Sequence, residues 1–247
     1  MIINSLTNTK VKEWVKLKNS KYRNLSQTFL VEGEHLIIEA NKAGLIISLI
    51  VLNYEKPLLD NFPIYQVNEL IMKKISTNTS LNKQVGICRF KDTSEEIDSE
   101  LLILDNIQDP ANVGGIIRTA YCFGFNSVIL SDDTVDIYNP KLIKASQGSV
   151  FHVNTLRVNL IEYLPILKDK GYQLLATNLN TDENIEDVLI PERYGLILGN
   201  EGQGISPEVL ALADTHFIIP ITNFDSLNVL SAASICLYEL SKKEEVS

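Results

Sequence analysis

The feature that most constrains this chain is a set of short runs that are apolar at every position, among them Leu101 to Leu104, Val128 to Leu130 and Leu196 to Leu198. A strand with one wet face alternates apolar and polar residues, whereas a strand apolar throughout is covered on both faces, as in a parallel sheet between helix layers. Helical spacing fills the gaps between runs. The sequence predicts a strand over Leu101 to Leu104, a helix ending at Gly124, a strand over Val128 to Leu130 and a helix around Leu142 to Ala145. Further strands are expected at Val153 to Val158, Gln173 to Thr177, Leu196 to Gly199 and Phe217 to Ile221. A final helix is expected from Leu227 to Lys242. Alternation of this kind predicts an α/β domain on a mostly parallel sheet.

The polar stretch Lys91 to Glu100 has no apolar period and is read as a boundary, giving domains over residues 1–95 and 96–247. Before it, Val11, Trp14, Val15 and Leu17 have helical spacing, Phe29 to Val31 reads as a strand, Leu36 to Ala40 as a helix closed near Gly44, and Ile46 to Leu52 as a strand. A small α/β module is implied. Charge separates the two parts as sharply as pattern does. Residues 1–91 carry 13 Lys and Arg against 7 Asp and Glu, and the rest of the chain carries 9 against 24. The overall charge of −9 therefore hides a basic module joined to an acidic one, and contact with a polyanion belongs at the N-terminal end. Lys10, Lys12, Lys16, Lys18, Lys21 and Arg23 cluster there beside Trp14 and Tyr22, and read either as an RNA grip or as a solvated helix face.

No apolar run is long enough to span a membrane and no secretory signal is visible, so a cytoplasmic protein without membrane attachment is expected. Cys88, Cys122 and Cys236 are scattered in apolar segments and read as buried structural thiols. His35, His152 and His216 read as structural, and Asp132, Asp133 and Asp136 as a solvated loop, so no metal is expected.

Three segments carry chemistry. Leu104 to Ala120 runs from a strand end into a helix, with Asp109 as N-cap and Pro110 at the first helical position. Gly114 and Gly115 then sit inside the helix, where each costs roughly 1 kcal/mol relative to alanine, so a close approach of backbone or ligand is expected. Arg118 follows on an apolar stretch, either as a structural ion pair or as a working guanidinium. In the second segment, Leu196 to Pro207, an apolar strand breaks into Gly199-Asn200-Glu201-Gly202-Gln203-Gly204, which is either a tight turn or a ligand loop at a strand end. The third, Phe217 to Val229, leads a strand through a polar loop into the final helix, with Asp225 or Ser226 as the expected N-cap and Asn228 left needing a partner.

In order and spacing these segments resemble the SpoU/TrmH family of RNA ribose 2′-O-methyltransferases of the SPOUT superfamily, through Asp109-Pro110-Ala111-Asn112-Val113-Gly114, Gly199-Asn200-Glu201-Gly202 and Ser226-Leu227-Asn228-Val229. Phe29-Leu30-Val31-Glu32-Gly33 resembles the start of the substrate-binding domain that many members carry. The resemblance implies a mostly parallel sheet with a C-terminal trefoil knot, preceded by a small α/β substrate-binding domain. It implies S-adenosylmethionine as cofactor, held by Thr177, Leu198, Gly199, Asn200, Gly202, Ile219, Ile221 and Leu227. Arg118 matches the family's catalytic arginine. Because a guanidinium keeps its proton, phosphate positioning and charge stabilisation are its expected roles. Asn112 and Asn228 are expected to fix Arg118 or the ribose, Glu201 to orient Arg118 or a neighbouring amide, and Ser226 to hold the third loop. That loop is a residue shorter than the family's, with Asn223 in place of glycine and expected to take positive φ. RNA is the implied partner, ribosomal RNA favoured over transfer RNA. Ser231, Ala232, Ala233 and Ser234 are small enough for a homodimer seam along the final helix. The alternatives are a non-catalytic RNA-binding or ribosome-assembly factor of the same fold, or a tRNA 2′-O-methyltransferase.

Overall fold

The computed structural model describes residues 1–223 and 225–242. Two compact units are present, Met1–Asp92 with Asp136–Phe151, and Thr93–Val135 with His152–Ser247.

The first unit is built on a mixed five-stranded sheet. It contains β1 (Ile2–Ile3), α1 (Thr9–Lys16), α2 (Ser20–Ser26), β2 (Thr28–Glu32), α3 (Glu34–Lys42), β3 (Ile46–Leu52), β4 (Ile64–Val67), α4 (Glu69–Ile75), β5 (Gln84–Arg89) and, from later in the chain, α6 (Pro140–Ser146). The strand order is β1-β4-β3-β5-β2, with β5 antiparallel to both its neighbours. Val11, Trp14, Ile50, Leu52, Ile71 and Met72 fill one side.

Residues 136–151 lie in the stretch that sequence assigns to the second domain, yet they complete the first. Tyr138 and Phe151 pack on Phe29 of β2, ring centroids 4.6 and 5.8 Å apart. Gly148, at φ 87°, lets the chain pass α3 so closely that a Cβ there would stand 2.8 Å from Glu39 Cβ. A stretch that buries this much apolar surface against β2 and α3 belongs to their core.

The second unit holds β6 (Glu100–Leu104), α5 (Pro110–Cys122), β7 (Ser127–Ser131), β8 (Asn154–Val158), α7 (Leu160–Asp169), β9 (Gln173–Thr177), β10 (Tyr194–Leu198), α8 (Pro207–Leu210), β11 (Thr215–Phe217) and α9 (Val229–Ser241). All pairs in its six-stranded sheet, ordered β11-β9-β10-β6-β7-β8, are parallel. The fully apolar runs are its central strands: Leu101 to Leu104 and Leu196 to Leu198 are buried at 1% exposure or less. One expected strand differs. Phe217 to Ile221 is apolar, but the ladder with β9 stops at Phe217, only a single bridge from Ile218 to Asn184 follows, and Pro220 has no N–H to give. Asn228, not Asp225 or Ser226, caps the last helix, its side chain accepting the Leu230 N–H at 2.9 Å.

No helix among the described residues is long and apolar enough to cross a membrane, and no cluster of His, Cys, Asp and Glu among them could hold a metal ion. Cys88 and Cys236 are buried as expected, but Cys122 is exposed at the end of α5. Burial pushes the Cys236 thiol up to about 12. Asp136 is an ion-pair partner of Arg23 instead of a solvated loop residue.

Candidate active site

In a parallel sheet the loops leaving the carboxyl ends of the strands are where ligands find room. Here the loops after β9, β10 and β11 close on a cavity of about 400 Å³. Thr177, Leu198, Gly199, Asn200, Gly202, Ile219, Ile221 and Leu227, the residues expected from sequence to hold a cofactor, all line it. Asn178, Asn180, Leu210 and Phe217 line it too and were not singled out. Their position just past a strand end, or on an element facing one, is the signal that could have found them. Ile218, Ile219 and Ile221 are half-buried. Their apolar side chains line the cavity, and beyond the single Ile218 bridge they extend no ladder.

The second segment folds back on itself. Asn200 and Gly204 exchange both main-chain hydrogen bonds, each 2.9 Å. The Asn200 side chain accepts from the Gly202 and Gln203 N–H groups and donates to the Asn106 carbonyl, so its amide shapes the loop and its remaining contribution to the cavity is surface. At Gly199 a Cβ would stand 2.1 Å from Ile205 N, and no side chain fits. From beneath, the buried Asp105 carboxylate accepts the Ser206 N–H at 2.7 Å. Asn106, at φ 53°, takes the next step, its N–H donating to Ser131 Oγ. The end of β6 therefore anchors the loop that follows β10, 101 residues later for the Asp105 bond.

The same β6 end leads into α5. Asp109 caps it, accepting from the Ala111 and Asn112 N–H groups. Asn112 Nδ2 then donates to Glu201 Oε1 at 2.6 Å, joining the first segment to the second. This is the neighbouring amide expected for Glu201; neither residue reaches Arg118. The close approach expected at the paired glycines is explicit at Gly115, where a Cβ would meet Leu230 of α9 at 2.7 Å. Arg118 is exposed and, among the described residues, has neither an ion pair nor a hydrogen bond, so the structural ion pair is not formed.

In the third segment, Ser226 lines the cavity but holds the loop with no hydrogen bond among the described residues. Among the described residues Asn228 forms no hydrogen bond to Arg118 or to the second loop; its side-chain oxygen accepts the Leu230 N–H that caps α9. The non-glycine residues with positive φ among those described are Gln27, Asn106 and Gln147, so Asn223 does not take the conformation expected of it. Of the four small residues on α9, Ala233 is buried in the unit's own core and Ala232 lines the cavity. The outward face is Ser231, Ile235 and Tyr238.

In the first unit, Lys12, Lys16, Lys18 and Lys21 are exposed and Lys10 half-buried. Lys10 lies over the Tyr65 ring and Lys16 over the Tyr22 ring, 5.0 and 5.3 Å from the centroids. Arg23 leaves the row. It is 3% exposed, pairs with Asp136 and donates from Nη1 to the Leu17 and Lys18 carbonyls. A guanidinium with its donors spent inside the fold is not a phosphate grip. His35 bonds the Gln147 carbonyl, His152 stacks on Tyr121, and His216 meets Asn178.

Residues 100–238 match the SpoU rRNA Methylase family, and residues 8–84 match the MRM3-like substrate binding domain. The chain belongs to the SpoU rRNA methylase family. It is 34% identical over 243 residues, 96% of this chain and 98% of the relative, to the 23S rRNA (guanosine(2553)-2′-O)-methyltransferase RlmP of Bacillus subtilis. Among solved structures, the AdoMet-bound rRNA methyltransferase from Sinorhizobium meliloti is similar with a TM-score of 0.88 and 28% identity, covering 100% of this chain and 99% of that one. An RNA 2′-O ribose methyltransferase is similar with a TM-score of 0.83 and 27% identity, covering 97% and 98%.

Proposed function

We propose that this chain transfers a methyl group from S-adenosylmethionine to a ribose 2′-hydroxyl of ribosomal RNA, and that the cavity at the ends of β9, β10 and β11 holds the cofactor. The observation that carries this reading is the convergence on one cavity of loops from three separate parts of the sequence. Its lining fits the group: Leu198, Ile205, Leu210, Phe217 and Val229 offer apolar surface for a purine, while Asn178, Asn180 and Ser226 offer polar atoms for a ribose and an amino-acid tail. When bound, S-adenosylmethionine supplies an electrophilic methyl on a leaving group that departs as a neutral thioether.

The chain's own work is positioning. Asp105 and Asn200 fix the second loop, and the Asn112–Glu201 bond ties it to the opening of α5. Arg118, exposed on that helix and unpaired among the described residues, offers a forked donor to an RNA phosphate and to charge developing on the ribose oxygen. Lys10, Lys12, Lys16, Lys18 and Lys21 supply long-range attraction for the RNA. The reading extends to the family's trefoil knot at these loops, to a homodimer seamed by Ser231, Ile235 and Tyr238 of α9, and to a cytoplasmic location.

The test is transfer of labelled methyl from S-adenosylmethionine to total RNA from cells lacking the protein, with products digested to nucleosides. Label in 2′-O-methylated nucleosides of ribosomal RNA is expected. Label confined to transfer RNA, or absent while cofactor and RNA both bind, would overturn the reading.

A further inference from the structure

The first unit carries a second and larger concavity, of about 670 Å³, which shares only Lys18 with the lysine cluster that sequence puts forward. Its walls come from four stretches: Lys18 after α1, the end of β2 with the start of α3, the loop after α4, and α6. Lys18, Lys141 and Lys144 line it, and none forms an ion pair among the described residues. Lys18 Nζ donates to the Ser76 carbonyl and Lys144 Nζ to the Asn78 side-chain oxygen, both neutral acceptors, and the Lys141 ammonium has no partner among the described residues. Three ammoniums against two carboxylates, Glu32 and Glu34, leave this concave wall cationic and able to attract an anion.

Of the two carboxylates, one keeps its charge but has its oxygens occupied within the fold. Both Glu32 oxygens are saturated from within the fold, by Ser76 Oγ, by the N–H and Oγ1 of Thr77, by the Asn78 N–H and by Asn82 Nδ2, at 2.6 to 3.3 Å. Glu32 therefore acts as the frame of the 76–82 loop. Glu34 remains exposed at the edge. The floor is apolar, from Leu30, Leu36 and Ile143, and the exposed His35 ring stands at the side with one nitrogen on the Gln147 carbonyl. An apolar floor and an imidazole face suit a base, and flanking ammoniums suit the phosphates on either side of it.

We propose that this groove is a binding subsite for an unpaired nucleotide of the RNA substrate, with Lys141, Lys144 and Lys18 on its phosphates and His35 against its base. The inference rests on the reading of the chain as an RNA-modifying enzyme and deepens it. Lys141 and Lys144 lie outside residues 8–84, so the subsite is completed by a stretch from within the methylase match.

The experiment measures affinity of the whole protein for a 23S ribosomal RNA transcript as salt is varied, for wild type, Lys141→Glu with Lys144→Glu, and the Lys141→Arg, Lys144→Arg pair. We expect the glutamate pair to bind at least tenfold more weakly, with the slope of log affinity against log salt reduced by about 1.4, two single-strand phosphate contacts' worth. The arginine pair should restore binding, and cofactor affinity should not move in any variant. Unchanged RNA affinity and slope in the glutamate pair would overturn the subsite, as would AMP or inorganic phosphate displacing the transcript at equal concentration. A protein that loses RNA with the glutamate pair but transfers no methyl to any RNA leaves the subsite standing and removes the enzymatic reading. One that binds no RNA as wild type removes both.

Discussion

Two arginine-bearing regions of this protein look alike in sequence and are opposites in structure. Arg23 lies among lysines at the end of a short helix and is buried, with its fork divided between Asp136 and the carbonyls of Leu17 and Lys18. Arg118 lies among Ile116, Ile117 and Ala120, in apolar company, and is exposed with no partner among the described residues. Local composition gives the wrong prior for both. What decides is which side of the helix the residue occupies and what packs there: Asp136 meets Arg23 inside the fold, whereas α9 covers the Gly115 face of α5 and leaves Arg118 outside. A guanidinium whose bonds are made inside the fold supports the fold; one held out with none is available to something else.

That contrast can be broken most directly at Arg118. Arg118→Ala should lower methyl transfer by about 10²- to 10³-fold, the range for losing one preorganised donor, with melting temperature and cofactor affinity unchanged. A loss of stability in place of a loss of rate would place Arg118 with Arg23. For Arg23→Ala the expectation is the reverse: about 3 kcal/mol lost in denaturant unfolding, because Asp136 is left without its partner. Arg23→Lys should recover little, since one ammonium cannot serve a carboxylate and two carbonyls together. Gly115→Ala sharpens the account of how α5 is seated. The new methyl must push Leu230 aside, and about 1 to 2 kcal/mol of stability should go, with transfer falling if α5 shifts. The smallest effect belongs to Lys12→Glu, in the same stretch as Arg23 but exposed. Its stability should stay within about 0.5 kcal/mol, and only the salt dependence of RNA binding should change.

The same contrast explains how much of the molecule was legible in the sequence. Strands such as Leu101 to Leu104 could be read because a two-sided burial leaves a pattern no other environment produces. Ile218 to Ile221 carry a similar pattern for a different reason, as cavity wall, and hydrophobicity alone does not separate the two. The cavity lining was reached through motif resemblance, and the residues it missed, Asn178 and Asn180, are ordinary loop residues until the fold places them at a strand end. Asn228 needed no exotic partner; its neighbours in the chain supplied one. Capping by asparagine recurs at Asn8, Asn19, Asn68, Asn139 and Asn159, so the chain states this habit six times and the last instance could have been read from the others. The allegiance of residues 136–151 could not be read at all, because their apolar residues are equally suited to either core.

That allegiance bears on biosynthesis. The first unit's own sequence ends at Asp92, but its core waits for Phe151, 59 residues further on. At translation speeds of 5 to 20 residues per second, the nascent chain spends about 2 to 9 seconds with Arg23 lacking Asp136 and about 3 to 12 seconds with Phe29 lacking Phe151. During that interval it is a client for whatever binds exposed apolar sheet at the exit tunnel. Gene fragments cut at residue 92 make that interval permanent.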